Sequence, residues 1–463
     1  MKKVFVFGIG GTGIRVIKSI IMLMASGMES NGYTIVPVII DPHLDLEEKK
    51  NLHSLIDSYR KIYSEATNKG TMNALEGFFS SNLVTLEELN NQANDIHQYS
   101  GSKEKFGSYI KTSNLATDDI NNYLIQTLFS TKNLDNSLSV GFKGNPNVGT
   151  VVLGDMIEGA DWFKGFKQQC EKDDRIFIIS SIFGGTGASG FPLLEKKIRG
   201  ADSQPTVKNA LMGAVTVLPY YGLKDPNTNN SDIDSANFYT KTKAALAYYN
   251  GKVLPDYLYY AGETTLRQVY ENDEQKQDDK THFIELVAAS ALFDFLKKER
   301  PEKPQYLTRA IEDDKDSMDL KSLGDGYREI VKCVADYKIF SMLVDLLPDE
   351  KYFPLRISRG LKDNFYNDEP FAALAEFTEV YNNWYKELSE NNRAFAPLND
   401  STPHNMERWV KGFSLEAKDD SYYLLEMIKI SNAYKSNEHD NKLRFLLQFA
   451  YEAINHYTQK KLK

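Results

Sequence analysis

Cysteine is scarce: two in 463 residues, Cys170 and Cys333, far apart and in no CxxC pair. A disulfide framework or a structural zinc site needs more thiols or a His/Cys cluster, so neither is expected, and two isolated thiols fit a reducing cytoplasm. Basic side chains are outnumbered, 55 against 64 acidic ones, for a formal net charge of −9. Holding nucleic acid by phosphate neutralisation calls for the opposite balance, so a direct nucleic-acid partner is not expected. Long apolar runs are missing too. None reaches the ~18 residues of a membrane span, so no transmembrane segment is expected. The opening run Val4–Phe7 lasts four residues before a glycine cluster, and Arg15 and Lys18 interrupt the next apolar stretch, unlike a secretory leader. The bulk of the chain is globular material, 41% hydrophobic and 26% charged. It is enough for a large core in two or about three domains.

The first 45 residues read as strand, glycine turn, helix, strand. Val4–Phe7 and Ile35–Ile40 are continuous apolar runs, the pattern of strands buried on both faces of a parallel sheet. Between them Val16, Ile17, Ile20, Ile21 and Met24 recur at helical spacing. Residues 44–135 turn polar and read as a helical insertion with loops. It has one amphipathic helix around Leu52–Tyr63, another marked by Tyr123, Leu124 and Leu128, and an exposed tip at Tyr99–Lys105. The α/β rhythm returns at Ser137. Strands are expected at Arg175–Ile182, Ala210–Leu218 and Asp256–Ala261, then a long apolar helix within 281–300. The sequence thus predicts an α/β fold, a doubly wound mostly parallel sheet over 1–280, followed by a mainly α-helical region over 301–463. In that region Gly326–Leu347, Phe371–Leu388, Tyr422–Ile430 and Leu443–Tyr457 show helical spacing, and Trp384, Tyr385, Trp409 and Phe413 read as core.

Two glycine-rich turns each follow a buried strand and open a helix: Gly8-Ile9-Gly10-Gly11-Thr12-Gly13 and Gly184-Gly185-Thr186-Gly187-Ala188-Ser189-Gly190. A helix N-terminus offers unpartnered N–H groups and a positive dipole end, which favour a phosphate, and glycine lets the backbone approach it. Alone, Gly8-x-Gly10-x-x-Gly13 also matches the dinucleotide fingerprint. Asp41 would then be its ribose-binding acid, although it lies 28 residues after Gly13 rather than the usual ~20. No Gly-x-x-x-x-Gly-Lys-Ser/Thr is present, so the phosphate device is not a P-loop.

Four segments in order resemble the tubulin and FtsZ superfamily, most nearly its divergent bacterial tubulin-like members. They are the first glycine turn (Gly8, Gly10, Gly11, Gly13), the Gly141–Gly149 segment, the Gly184–Gly190 turn, and the strand Ala214–Leu218 ending at Pro219. In that family the Gly141–Gly149 match is the loop after the third strand. Thr281–Leu286, opening the long helix, looks similar as well.

The resemblance implies a GTP/GDP site with Mg²⁺ at the carboxyl ends of the strands. Gly8, Gly10, Gly11, Thr12, Gly13, Gly184, Gly185, Thr186, Gly187, Ala188, Ser189 and Gly190 would cradle the phosphates. Gly144, Asn145, Pro146 and Asn147 would contribute from the third turn, Pro219 from the strand end. Asp41 would sit near phosphate or magnesium and His282 at the guanine. Bland alternatives stay open: Thr186 fits a helix N-cap, Asp41 before Pro42 a turn, His282 a capping or surface position. The family's Glu after Asn-Pro is Asn147 here, and its Arg four residues on is Val151.

Hydrolysis in that family uses acids from a loop after the central helix, which complete the next subunit's site. Asn-x-Asp-x-x-Asp is absent after Leu296, and the acidic run Glu312–Asp316 reads as a solvated loop, leaving Asp319 and Asp325 as candidates to position water. No residue is assigned to hold a metal on its own. The resemblance implies a cytoplasmic GTPase that polymerises head to tail with itself, with or without an adaptor protein. The other readings are a non-hydrolysing nucleotide-binding scaffold and, distantly, an NAD(P)-dependent enzyme.

Overall fold

The computed structural model describes all residues except 44–45, 71–74, 91–100, 143, 224–236, 254, 264–267, 271–279, 312–317, 320–324, 349–360, 362, 392–394, 396, 398–409, 412–440 and 462–463. Six strands form the main sheet: β1 (Lys3–Ile9), β2 (Thr34–Ile40), β3 (Arg175–Ser181), β4 (Leu211–Val217), β5 (Tyr257–Glu263) and β6 (Gln305–Ile311). Their order is β2-β1-β3-β4-β5-β6, and every neighbouring pair is parallel. The α/β reading therefore holds, with a sheet that is parallel throughout.

Five of the strands, β1 to β5, form where the sequence is largely apolar. Phe5 and Phe7 set their rings against Phe166, at 4.9 and 5.0 Å between centroids, from the helix Asp161–Gln169. On the opposite face Gly8 lies under Ile17 of α1 (Gly10–Ala25). Parallel strands need covered faces and crossover connections, and helices supply both. Beyond β2, among the described residues, the sheet gains a single bridge, Ile35 to Leu83, with Ile35 N donating to Asn82 O and Val84 N to Ile35 O.

The segment 44–135 is helical as expected: α2 (Glu47–Ala66), α3 (Ile120–Leu128) and short pieces at Leu86–Asn90, Phe106–Tyr109 and Thr131–Leu134. In the expected exposed tip, Lys103–Lys105 are exposed, and 99–100 lie outside the described residues. Next come α4 (Pro146–Ile157), α5 (Gly185–Arg199), α6 (Phe238–Tyr249) and the central helix α7 (Phe283–Leu296). The turn Gly141–Gly149 does not follow a strand: Leu138–Val140 is a single 3₁₀ turn. Buried Leu138 and Phe142 bracket that turn, so packing fixes it without a ladder.

The chain beyond 301 is not helical from its start. It first adds β6 to the edge of the sheet and then forms α8 (Asp325–Leu346), α9 (Glu369–Glu390) and α10 (Lys442–Lys461). These three match the expected helices, while Tyr422–Ile430, Trp409 and Phe413 fall outside the described residues. Trp384 and Tyr385 are buried, as a core reading requires. That core is shared with the front of the chain. Tyr337, Phe340, Phe377 and Tyr381 from α8 and α9 interleave with Tyr59 of α2 and with Phe78 and Phe79. Trp384 Nε1 donates to Ser19 Oγ of α1 at 3.4 Å.

Asp336 of α8 is fully buried, and Lys332 one turn earlier donates to it. Burial raises its pKa; Lys332 and the Thr458 hydroxyl oppose the rise. A carboxyl that holds its proton more tightly when folded contributes stability present below its ordinary range and lost as pH climbs through the raised value. From about pH 4 towards neutrality the wild type should therefore lose more stability than Asp336→Asn, read from urea midpoints across pH. Separately, Trp384→Ala should cost about 3–5 kcal/mol in the same unfolding assay, because it opens a cavity between α9 and α1.

Candidate functional site

Open parallel sheets bind ligands outside the carboxyl ends of their strands, where neighbouring connections leave in opposite directions. Here that point lies between β1 and β3, and both strands run directly into the two glycine turns. Gly10 follows β1 with φ +74°, a conformation that glycine adopts without the strain of a side chain. Gly184 precedes α5, and Asn145 precedes α4, which has Pro146 in its first turn. Neither Ile9, Gly184 nor Asn145 caps its helix with a side-chain hydrogen bond. Three helix starts thus offer backbone donors that no side-chain cap satisfies.

The three turns touch. A methyl on Gly10 would lie 3.3 Å from Thr186 Cβ and 3.6 Å from Gly187 N. One on Gly185 would lie 3.1 Å from both Gly144 N and Asn145 N, and one on Gly149 would be 2.3 Å from Ser189 Oγ. The sequence-predicted phosphate residues of all three turns are therefore brought together.

Most of these glycines are small because the chain packs on itself. A methyl on Gly13 would meet Gly8 C at 2.5 Å, one on Gly187 Ser181 O at 2.6 Å, and one on Gly190 Ile9 Cγ2 at 2.7 Å. Gly184 differs: its nearest neighbour is Ser181 Oγ at 2.9 Å, a hydroxyl that can swing aside, and Gly184 is half-buried. Gly11 and Thr186 are half-buried as well, while Thr12 and Ala188 are buried. Ser189 Oγ donates back to Gly185 O at 2.7 Å and Thr186 O at 3.2 Å, so it braces its own helix. Gly144 O accepts from Lys241 Nζ of α6 at 2.9 Å, which brings a cation to the third turn. Pro146 is half-buried and Asn147 exposed.

The other candidates lie around this cradle. Asp41, at the end of β2 next to β1, is buried, and its Oδ1 accepts from His43 N at 2.7 Å. Burial raises its pKa, against the pull of the His43 N–H and the Lys49 ammonium. Lys49, itself buried, donates to His43 O at 2.6 Å. Pro219 is buried, and the next residue, Tyr220, leads to the start of α7. There His282 caps the helix: its Nδ1 accepts from Ile284 N at 3.0 Å, and Glu285 Oε2 accepts from His282 N at 3.0 Å. Asp319 lies in a two-residue strand paired with Val410–Lys411, and Asp325 opens α8; neither side chain is among those described.

Sequence reasoning missed the link between cradle and central helix. Arg15 of α1 donates through Nε to Glu285 Oε1 at 2.7 Å and through Nη2 to the Tyr220 hydroxyl at 3.0 Å. The Tyr220 hydroxyl in turn donates to Glu285 Oε1 at 2.6 Å, and its ring meets the His282 ring edge-on at 4.9 Å. All four residues are buried. Burial pushes Glu285 up; Arg15, Tyr220 and the His282 N–H pull against it. A signal existed: Arg15 within the apolar run of α1 and Glu285 within that of α7 each require a partner once buried.

Backbone amides and helix dipoles converging on one point can hold an oxyanion with several phosphate-like oxygens. Among the described residues no group of three His, Cys, Asp or Glu could hold a metal ion by itself. Fold and site together define an α/β protein with an all-parallel six-stranded sheet and a glycine-lined cradle at its switch point. No family model matches the chain, and no curated protein matches it.

Removing Glu285 takes away the carboxylate 2.7 Å from buried Arg15 Nε and leaves the less buried Glu48, 3.5 Å from Nη1. Glu285→Leu should therefore cost about 3–5 kcal/mol, and Arg15→Met/Glu285→Leu should cost less than the two single changes summed. Urea unfolding of the four proteins measures the coupling; strict additivity would show that the pair carries no interaction.

Proposed function

We propose that this chain is a GTP-binding tubulin-like protein that assembles head to tail into filaments in the cytoplasm, with hydrolysis coupled to assembly. The observation that carries this reading is the contact of the Gly184–Gly190 turn with both other glycine turns at the β1/β3 switch point. A dinucleotide fingerprint uses one such turn; a triphosphate gives work to all three. Bound GTP with Mg²⁺ supplies the phosphoanhydride and its charge neutralisation. The chain's part is to hold the phosphates with amides of the Gly10, Gly144 and Gly184 turns, with Thr186 as hydroxyl donor. Arg15, Tyr220 and Glu285 fix the start of the central helix, where the guanine would be read. Asp319 and Asp325 are the proposed acids for positioning water in the next subunit's site.

A second reading, a nucleotide-binding scaffold without turnover, is favoured by one specific feature. The chain leaving the central helix enters β6 of the main sheet, where the resembled family places its acidic loop.

Sedimentation and electron microscopy with and without GTP test assembly, and phosphate release from the assembled protein separates the two readings. Pelleting should rise above a critical concentration only with GTP; a chain that stays monomeric at saturating GTP and Mg²⁺ would refute the filament reading. Gly184→Ala adds one methyl where only a mobile hydroxyl stands in the way. GTP affinity should fall at least about tenfold, roughly 1.4 kcal/mol, while the melting temperature stays close to wild type. NAD and NADP, titrated in parallel, should not bind.

A further inference from the structure

Helix α3 departs from the rule that an amphipathic helix turns its apolar face to the core. Ile120, Tyr123, Leu124 and Leu128 share one face, yet they are 80%, 61%, 55% and 54% exposed, and no residue of the helix is buried. The helix is well formed: Asp119 Oδ1 accepts from Asn121 N at 2.7 Å at its start. Asp118 precedes that cap, and no Lys or Arg occurs from 112 to 131. The result is an apolar ridge with an acidic end.

A groove of complementary character lies between α4, α5 and α6, with a volume of about 470 Å³. Ile182, Leu193, Ala245 and Tyr248 form apolar wall, Lys196 and Lys241 supply positive charge, and among the described residues no carboxylate lines it. The surrounding α6 segment, 237–252, contains no acidic residue, and its Tyr239, Leu246 and Tyr248 are exposed. The volume falls within the roughly 300–1,000 Å³ of pockets that enclose sizeable apolar groups.

We propose that the groove between α4, α5 and α6 of one molecule receives helix α3 of a second copy of this chain. The mode is a helix laid in a groove, anchored by side chains three and four residues apart. Charge selects the occupant: α3 against α3 would oppose aspartates and groove against groove would oppose lysines, whereas α3 in the groove pairs Asp118 and Asp119 with Lys196 and Lys241. The two surfaces differ, so each molecule keeps one of each unused and the contact propagates without closing. The groove shares Asn147 and Ser189 with the phosphate turns, and Lys241 joins it to Gly144 O, which places the contact beside the nucleotide cradle. This inference deepens the assembly half of the proposed function and rests on that reading.

Leu124→Glu spoils the ridge and Tyr248→Glu spoils the groove, both at exposed positions in the full-length chain. In GTP and Mg²⁺, analytical ultracentrifugation should show wild-type mass growing with concentration, and each variant needing at least about tenfold more protein. Mixed in equal amounts, the two variants should form a heterodimer and nothing larger, since the pair has one intact ridge and one intact groove that can meet. Ala244→Trp, which fills the groove without adding charge, should replace Tyr248→Glu with the same outcome. A mixture no heavier than its separate components, a single variant that assembles like wild type, or a wild type that stays monomeric would each overturn the interface. GTP titration of the same samples separates the readings: a heterodimer formed by protein that binds no GTP would support the interface and count only against the nucleotide.

Discussion

The close approach of main chain to main chain at the ends of β1 and β3 is the constraint on which the rest of the site depends. Three turns meet within van der Waals distance because the atoms that would separate them are missing from Gly10, Gly149 and Gly185. Once the turns meet, the starts of α1, α4 and α5 share one small volume, and their dipoles act on it jointly. The glycines nearest the sheet, Gly8 and Gly13, serve this purpose indirectly: they let α1 drop onto the strand and so set where its first turn lies. A glycine signature can thus describe packing and binding at once, and here most of its members describe packing.

Polar chemistry around the cradle obeys a second constraint, that a charge taken from water needs a partner. Arg15, Tyr220 and Glu285 come from positions 270 residues apart at the extremes. They lock α1 to α7 with charge-assisted hydrogen bonds that a purely apolar contact would not orient. His282 and Glu285 form a reciprocal capping box at the same helix start. One carboxylate therefore serves three donors, which fixes the entry angle of the central helix relative to the cradle.

Five of the six main strands were legible in the sequence because continuous apolar runs such as Val4–Phe7 and Ile176–Ile179 have no other home than a doubly covered sheet. The sixth, Gln305–Ile311, was not: it mixes polar and apolar residues, Tyr306 is exposed, and an edge strand owes its place to pairing with β5 rather than to its own composition. The glycine turns were legible as motifs, but the division of labour among them was not, because it depends on which distant atoms each missing side chain would strike. Helix α3 shows the opposite case. Its periodicity announced a helix, and nothing in the periodicity said that its ridge would face outward. The helical character of 326–347, 371–388 and 443–457 was equally clear, whereas their sharing of one aromatic core with α2 required long-range contacts that local pattern does not encode.

That shared core bears on how the chain acquires its structure. Gly77, near the front, lies so close to the Tyr451 ring that a methyl there would be 2.2 Å from Tyr451 Cγ, and Phe78 stacks on the same ring edge-on at 5.2 Å. During synthesis the sheet-forming portion emerges with Tyr59, Phe78 and Phe79 lacking the aromatic partners that α8, α9 and α10 bring last. Contacts of such sequence separation close late, because the loop entropy is lost before they can compensate it. The nascent polypeptide thus carries a sticky, unfinished surface until α10 leaves the ribosome, and shielding by a chaperone over that interval would favour a productive outcome.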